Sequence, residues 1–196
     1  MGNLPMLSMT RALSIQFSRE LPKYFTKEEM DRILEVAREK PKQFLLVNFL
    51  WMTGARISEA LAVKVKDIDF TNRLVRVTTL KRRNVIQRVM HLKENLVDLL
   101  KMWISNNKLT LNNYVFDITR YRAFQIIQEI ILKAGFDKER AHPHTLRHSF
   151  AVNLILQGVS PLIVNEYLGH ADLKATMIYM KVLAKDTRNI FDTVQF

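Results

Sequence analysis

The sequence contains no cysteine. Disulfides, thiolate metal sites and cysteine nucleophiles are excluded together, and a reducing compartment is the expectation. Acidic residues are scarce: 19 Asp and Glu stand against 30 Lys and Arg, a net charge of +11. A basic excess of this size favours a polyanionic partner, because Lys and Arg that displace condensed counterions gain affinity from their release. No apolar run is long enough to span a membrane. Pro5, Ser8, Thr10 and Arg11 interrupt anything like the apolar core of a signal peptide. Met6 stands where a myristoylation signal needs Ser or Thr. A cytoplasmic protein without membrane attachment is expected. Repeats and low-complexity tracts are absent, and no cluster of carboxylates suits a two-metal mechanism.

What is present describes one globular domain. Hydrophobic residues make up 48% and charged residues 25%, enough for a substantial core at 196 residues. Residues 1–22 have weak periodicity and read as an arm or linker remnant. "TKEE" places Thr26 and Glu29 as a capping box for a first helix. Pro41 opens a second, very apolar helix that Gly54 ends or bends, and "ARISEALAVK" resumes a helical pattern. From Asp67 the period changes to two. "DIDF", "RLVRVTT" and "NVIQRVMHL" predict a three-stranded antiparallel sheet, with a tight turn at Thr71-Asn72 and the basic loop "LKRRN" as its second connection. Residues 73–88 hold six basic side chains and no acidic one: Arg73, Arg76, Lys81, Arg82, Arg83 and Arg88. Helices follow to the end, with Gly135 and Gly158 as stops and Ser160-Pro161 as an N-cap and first helical position. The predicted fold class is mainly α (α+β) with a small sheet.

Four stretches could carry chemistry. Arg56 follows the glycine bend, with Glu59 one helical turn on. Lys81 sits in the basic hairpin. His144 and Arg147 are three apart in "HPHTLRH". His170 and Tyr179 lie in "LGHADLKATMIYM". Singly, each has a plain structural reading: a surface ion pair, a solvated loop charge, a histidine bonded to backbone, a helix C-cap, a half-buried tyrosine. Together they form a kit for phosphodiester transfer. Two guanidinium forks match the non-bridging oxygens of the transition state, and a histidine donor adds to that clamp. Tyrosine, with a pKa near about 10, needs a base and nearby cations before it attacks. A lysine on the hairpin can protonate the leaving alkoxide.

At these residues the sequence resembles the tyrosine recombinase (phage integrase) family. "TGARISEAL" is similar to its first arginine box, "HPHTLRHSFA" to its His-x-x-Arg box and "LGHADLKATMIY" to its histidine-to-tyrosine box, in the same order and around a basic β-hairpin. The resemblance spans roughly residues 20 to 182. It implies that Arg56, Arg147 and His170 bind the scissile phosphate and that Tyr179 attacks it, giving a 3′-phosphotyrosine and a free 5′-hydroxyl. Lys81 would protonate the leaving oxygen, His144 would serve as acid/base toward the tyrosine, and Glu59 would orient the arginine and histidine from behind. Arg73, Arg76, Arg82, Arg83 and Arg88 would contact DNA. No cofactor and no metal are implied, since the phosphotyrosine conserves the bond energy. The implied partner is double-stranded DNA at a specific site, bound by a homo-oligomer, with a tetrameric synapse; free of DNA the expected state is a monomer or weak oligomer, with no membrane partner.

Three positions depart from the family pattern without removing a reactive group: Ala55, Ala175 and Lys181. Family members usually carry a separate N-terminal clamp domain; with about 20 residues before the catalytic region, the expectation is an excised catalytic domain or a naturally short invertase-like member. Residues 183–196 form a tail stripe of Leu183, Ile190, Phe191 and Val194, expected as a helix exchanged between protomers. Three other readings compete. A DNA-binding regulator, or a degenerate recombinase that binds without cleaving, is one; "LILQGVSPLIVNEYLGH" resembles a helix-turn-helix. A type IB topoisomerase would use similar chemistry on one strand. A metal site at His142, His144 and His148 lacks a nearby carboxylate ligand.

Overall fold

The computed structural model describes residues 23–81 and 84–169, with side chains placed except at 80, 81, 84 and 85. The expected arm (1–22), Arg82, Arg83, His170, Tyr179 and the expected tail helix (183–196) lie outside the described residues. The described residues form seven α-helices and a three-stranded antiparallel sheet, the mainly α architecture expected from the periodicity.

Helix α1 (Lys27–Ala37) begins with a complete capping box. The Thr26 hydroxyl accepts the Glu29 N–H at 3.3 Å and the Glu29 carboxylate accepts the Thr26 N–H at 2.9 Å. Such a cap stabilises a helix start by about 1 kcal/mol. Helix α2 (Pro41–Thr53) buries Leu45, Leu46, Val47, Phe49 and Leu50, so it is apolar on nearly every side and runs through the core. Each such side chain contributes roughly 1.5–3 kcal/mol on burial. Around α2 pack α1, α4 (Glu94–Asn106) and α6 (Pro143–Leu156).

Gly54 ends α2 in the left-handed region, at φ 65°. A Cβ there would overlap the Phe150 ring and lie 2.8 Å from a Leu168 methyl. Glycine alone lets the chain turn this tightly against α6. The chain then enters α3 (Ile57–Ala62), with Arg56 at the N-cap, and passes through a 3₁₀ turn at Val65–Asp67 to the sheet.

The sheet order is β1 (Ile68–Asp69), β2 (Leu74–Lys81), β3 (Asn84–His91). Asp69 closes the first turn by accepting the N–H groups of Thr71 and Asn72. In the β2–β3 ladder Val77 opposes Arg88, Thr79 opposes Ile86 and Lys81 opposes Asn84. Val75, Val77 and Met90 are buried while Arg76 and Val89 are exposed, the alternation of a half-covered sheet. The covered face of β2 lies on α3.

Helix α5 (Arg120–Lys133) is capped by Thr119, whose hydroxyl accepts the Arg122 N–H at 3.2 Å. Helix α7 (Pro161–Leu168) departs from expectation in one detail. Ser160 holds the N-cap position but its hydroxyl makes no capping bond; the fixed φ of Pro161 serves the start instead. A second apolar cluster, with Phe150, Val152, Ile155, Val164 and Leu168, holds α7 to α6. That packing brings the end of α7 beside the Gly54 turn.

Candidate active site

The site is built around one carboxylate. Glu59, on the first turn of α3, is 1% exposed. Its Oε2 accepts the Arg56 backbone N–H at 2.8 Å and Arg88 Nη2 at 2.6 Å. Its Oε1 accepts Arg56 Nη1 at 2.8 Å and the Thr79 hydroxyl. Two oxygens thus serve four donors, the full capacity of an ionised carboxylate. Burial pushes the Glu59 pKa up. Hydrogen bonds from Thr79 and from the Arg56 backbone, with the Arg88 charge, more than offset this, and the carboxyl stays below its ordinary value.

Arg147 is 4% exposed. Its Nη1 donates to the Gly54 carbonyl and its Nη2 to the Leu168 carbonyl, both at 2.7 Å. Its Nη1 also lies 4.0 Å from Glu59 Oε2. The two glycine-bounded turns, after α2 and after α7, therefore hold one guanidinium by their carbonyls. Arg56 completes the link, with Nη2 3.4 Å from the Gly169 carbonyl. Three arginines share one anionic partner, so the cluster carries an excess of positive charge. Desolvated guanidiniums in fixed forks suit a phosphate diester.

Arg56 and Arg147 open onto a cavity of about 60 Å³ that also touches Ser58, Arg120, Pro143 and His144. His144 follows Pro143 in the first turn of α6, so the N-terminus of α6 borders the same space. Desolvation lowers the His144 pKa, and the charges of Arg147, Arg56 and Arg120 lower it further. A neutral imidazole is the form that can accept a proton. Behind it His148 is pushed down to about 4, by burial first and then by His144 and Arg147. Among the described residues no group of three or more His, Cys, Asp or Glu is arranged to hold a metal ion.

The sequence-derived residues Arg56, Glu59, His144 and Arg147 thus converge. The Lys81 backbone pairs with Asn84 at the far end of β2. Arg76 is exposed on the sheet and Arg73 in the turn before β2, where its φ of 55° is left-handed. Arg88 is placed differently from its expected DNA-facing neighbours. Its side chain is 14% exposed and ion-paired with Glu59. The reason is strand parity: Arg88 is two residues from buried Met90 and directly opposite buried Val77, so it shares the covered face.

Sequence reasoning missed Thr79 and Arg120. Thr79 sits two residues after Val77, and the same parity could have found it. Arg120 lines the small cavity from the first position of α5, a helix with no acidic residue in its first turn. A cation at a helix N-terminus is unfavourable by about 0.3–1 kcal/mol, which is itself a signal that another contact retains it.

Comparison with known proteins identifies the family. The model of the phage integrase family matches residues 23–186. A tyrosine recombinase of Pseudothermotoga lettingae is 29% identical over 172 residues, 86% of this chain and 59% of its own length. Tyrosine recombinase XerA of Pyrococcus furiosus is 32% identical over 177 residues, 85% of this chain and 60% of that one. Among solved structures, the XerA recombinase crystal structure superposes with a TM-score of 0.75 at 25% identity, covering 91% of this chain and 66% of its own. XerH recombinase bound to its difH substrate before cleavage gives a TM-score of 0.70 at 28% identity, covering 88% of this chain and 54% of its own. The chain therefore spans about three fifths of the length of the relatives it matches. Matched by the family model over residues 23–186, the chain belongs to the phage integrase family.

Proposed function

We propose that the protein is a site-specific DNA recombinase of the tyrosine type, which cuts and rejoins double-stranded DNA through a 3′-phosphotyrosine. The observation that carries this reading is the pair of guanidiniums, Arg56 and Arg147, held on one small cavity by Glu59 and by two turn carbonyls. Preorganised donors of this kind act where charge develops in the transition state. The scissile phosphate occupies the cavity, its non-bridging oxygens facing Arg56 and Arg147, with His170 as a further donor.

The chemistry balances without a cofactor. The Tyr179 phenol loses its proton to neutral His144 and its oxygen bonds to phosphorus. The bond from phosphorus to the 5′-oxygen breaks, and Lys81 gives that oxygen a proton. The reverse reaction, with the 5′-hydroxyl of a second strand, exchanges partners. Arg73, Arg76, Arg82 and Arg83 supply contacts to DNA phosphates, which are sequence-independent and salt-sensitive. The working form is a homo-oligomer on DNA, a tetrameric synapse coupled by exchange of residues 183–196, and the protein acts in the cytoplasm. XerH, solved with its substrate DNA, supports the DNA partner.

The test uses nicked duplexes tiling the DNA that flanks the gene. Wild-type protein is expected to leave a covalent protein–DNA adduct on one of them, and Tyr179→Phe none. Binding to these duplexes without any adduct would overturn the recombinase reading in favour of a DNA-binding protein that does not cut. Relaxation of supercoiled DNA lacking the mapped site would favour a topoisomerase.

A further inference from the structure

Arg88 and Thr79 are placed where neither a DNA-contacting residue nor a core residue belongs. They reach Glu59 from adjacent strands. Arg88 Nη2 donates to Oε2 from β3, and the Thr79 hydroxyl donates to Oε1 from β2. Oε1 is the same oxygen that receives Arg56 Nη1, at 2.8 Å. Both strands of the hairpin are therefore tied to the atom pair that aims the phosphate-binding arginine. The hairpin leaves this anchor and reaches Lys81 two residues beyond Thr79. Arg88 also extends to the end of α7. Its Nη1 lies 2.8 Å from where a Cβ of Gly169 would sit, so only glycine, at φ 65°, leaves room for it. Gly169 immediately precedes His170.

The cost of this arrangement argues that it does more than fill space. A buried arginine is expensive unless fully bonded, yet Arg88 Nε is buried with no hydrogen-bond partner. Replacing a buried ion pair by apolar side chains of similar volume is often neutral or favourable. The sheet already has Val75, Val77 and Met90 to pack with. A charged strut here is poor packing but a directional tie.

We propose that Arg88 and Thr79 are positioning residues that register the β2–β3 hairpin, and so Lys81, against the phosphate clamp through Glu59. This rests on the recombinase reading, in which Lys81 protonates the leaving 5′-oxygen. Neither residue touches the DNA. Loss of either leaves the clamp able to bind a phosphate but misplaces the proton donor, because a hairpin released from Glu59 can slide or tilt on α3. The effect falls on leaving-group departure and not on binding.

The test compares two versions of the nicked duplex that yields an adduct, one natural and one with sulfur in place of the leaving 5′-oxygen. A thiolate leaves without being protonated, so a defect confined to proton donation disappears on the sulfur substrate. Thr79→Val, which keeps shape and removes only the hydroxyl, and Arg88→Met are expected to slow adduct formation at least about tenfold on oxygen. Both should approach the wild-type rate on sulfur, with unchanged DNA affinity, as Lys81→Ala should. Thr79→Val guards against a folding failure of Arg88→Met. Equal slowing on both substrates, or no slowing on either, overturns the inference. If sulfur rescues Lys81→Ala but neither positioning variant, the recombinase reading stands and the inference alone fails. If wild-type protein forms no adduct with either duplex, both fail together.

Discussion

Two groups of arginines lie close together in this chain and behave in opposite ways. Arg56, Arg88 and Arg147 are 25%, 14% and 4% exposed at the side chain and converge on one buried carboxylate. Arg73, in the turn before β2, and Arg76, on the same sheet as Arg88, stand in solvent. The first group has lost its freedom before any ligand arrives. Its forks are held by Glu59, Gly54 and Leu168, so little ordering entropy remains to be lost on binding. The second group keeps that freedom and its hydration. The same residue type thus yields directional anion recognition in one place and a diffuse attractive potential in the other. A count of basic residues cannot tell these apart.

The most direct way to break the contrast is to remove the carboxylate. Glu59→Ala leaves the partly buried Arg56 and Arg88 without their anion and deletes four hydrogen bonds. A loss of about 3–5 kcal/mol in unfolding free energy is expected, read by denaturant titration; a loss below about 1 kcal/mol would show that the cluster is not preorganised by Glu59. The next effect is in pH. His148, next in sequence to Arg147, is held neutral with its pKa near 4 against an ordinary 6.5. The unfolded chain binds the extra proton between these values, so His148 costs no stability above pH 6.5. The penalty grows as pH falls toward 4, up to about 3 kcal/mol, discounted for its partial exposure. His148→Phe is expected to flatten the stability profile over that window; an unchanged slope would place the titration elsewhere. The smallest effect belongs to the exposed group. Arg76→Gln should leave stability within about 0.5 kcal/mol and lower the salt slope of DNA binding by about 1 if Arg76 meets a phosphate. A larger stability change would mean that Arg76 is not the solvated residue described above.

Local features of the fold were legible because they depend on neighbours in sequence. The Thr26–Glu29 box, Pro41, the Gly54 stop and the alternation of β2 and β3 are set by hydrogen bonds and φ preferences within a few residues. The association of Arg56 with Glu59 was legible for the same reason, being three residues apart. The pairing of Arg88 with Glu59 was not legible from its charge. Its charge suggested the DNA face, while its parity with Met90 already favoured the covered one, and on this strand parity prevailed because Glu59 waits on α3 to pair it.

By itself the sequence determined the elements, their order, the basic excess and the residue types available for phosphodiester chemistry. Those are consequences of local propensity, periodicity and composition. The tertiary structure alone decided which cations share an anion. Gly54, Glu59, Thr79, Arg88, Arg147 and Gly169 are spread over more than a hundred positions. Only the packing of α2, α6 and α7, with β2 laid on α3, brings their donors and acceptors to hydrogen-bonding distance, the range in which such bonds have direction.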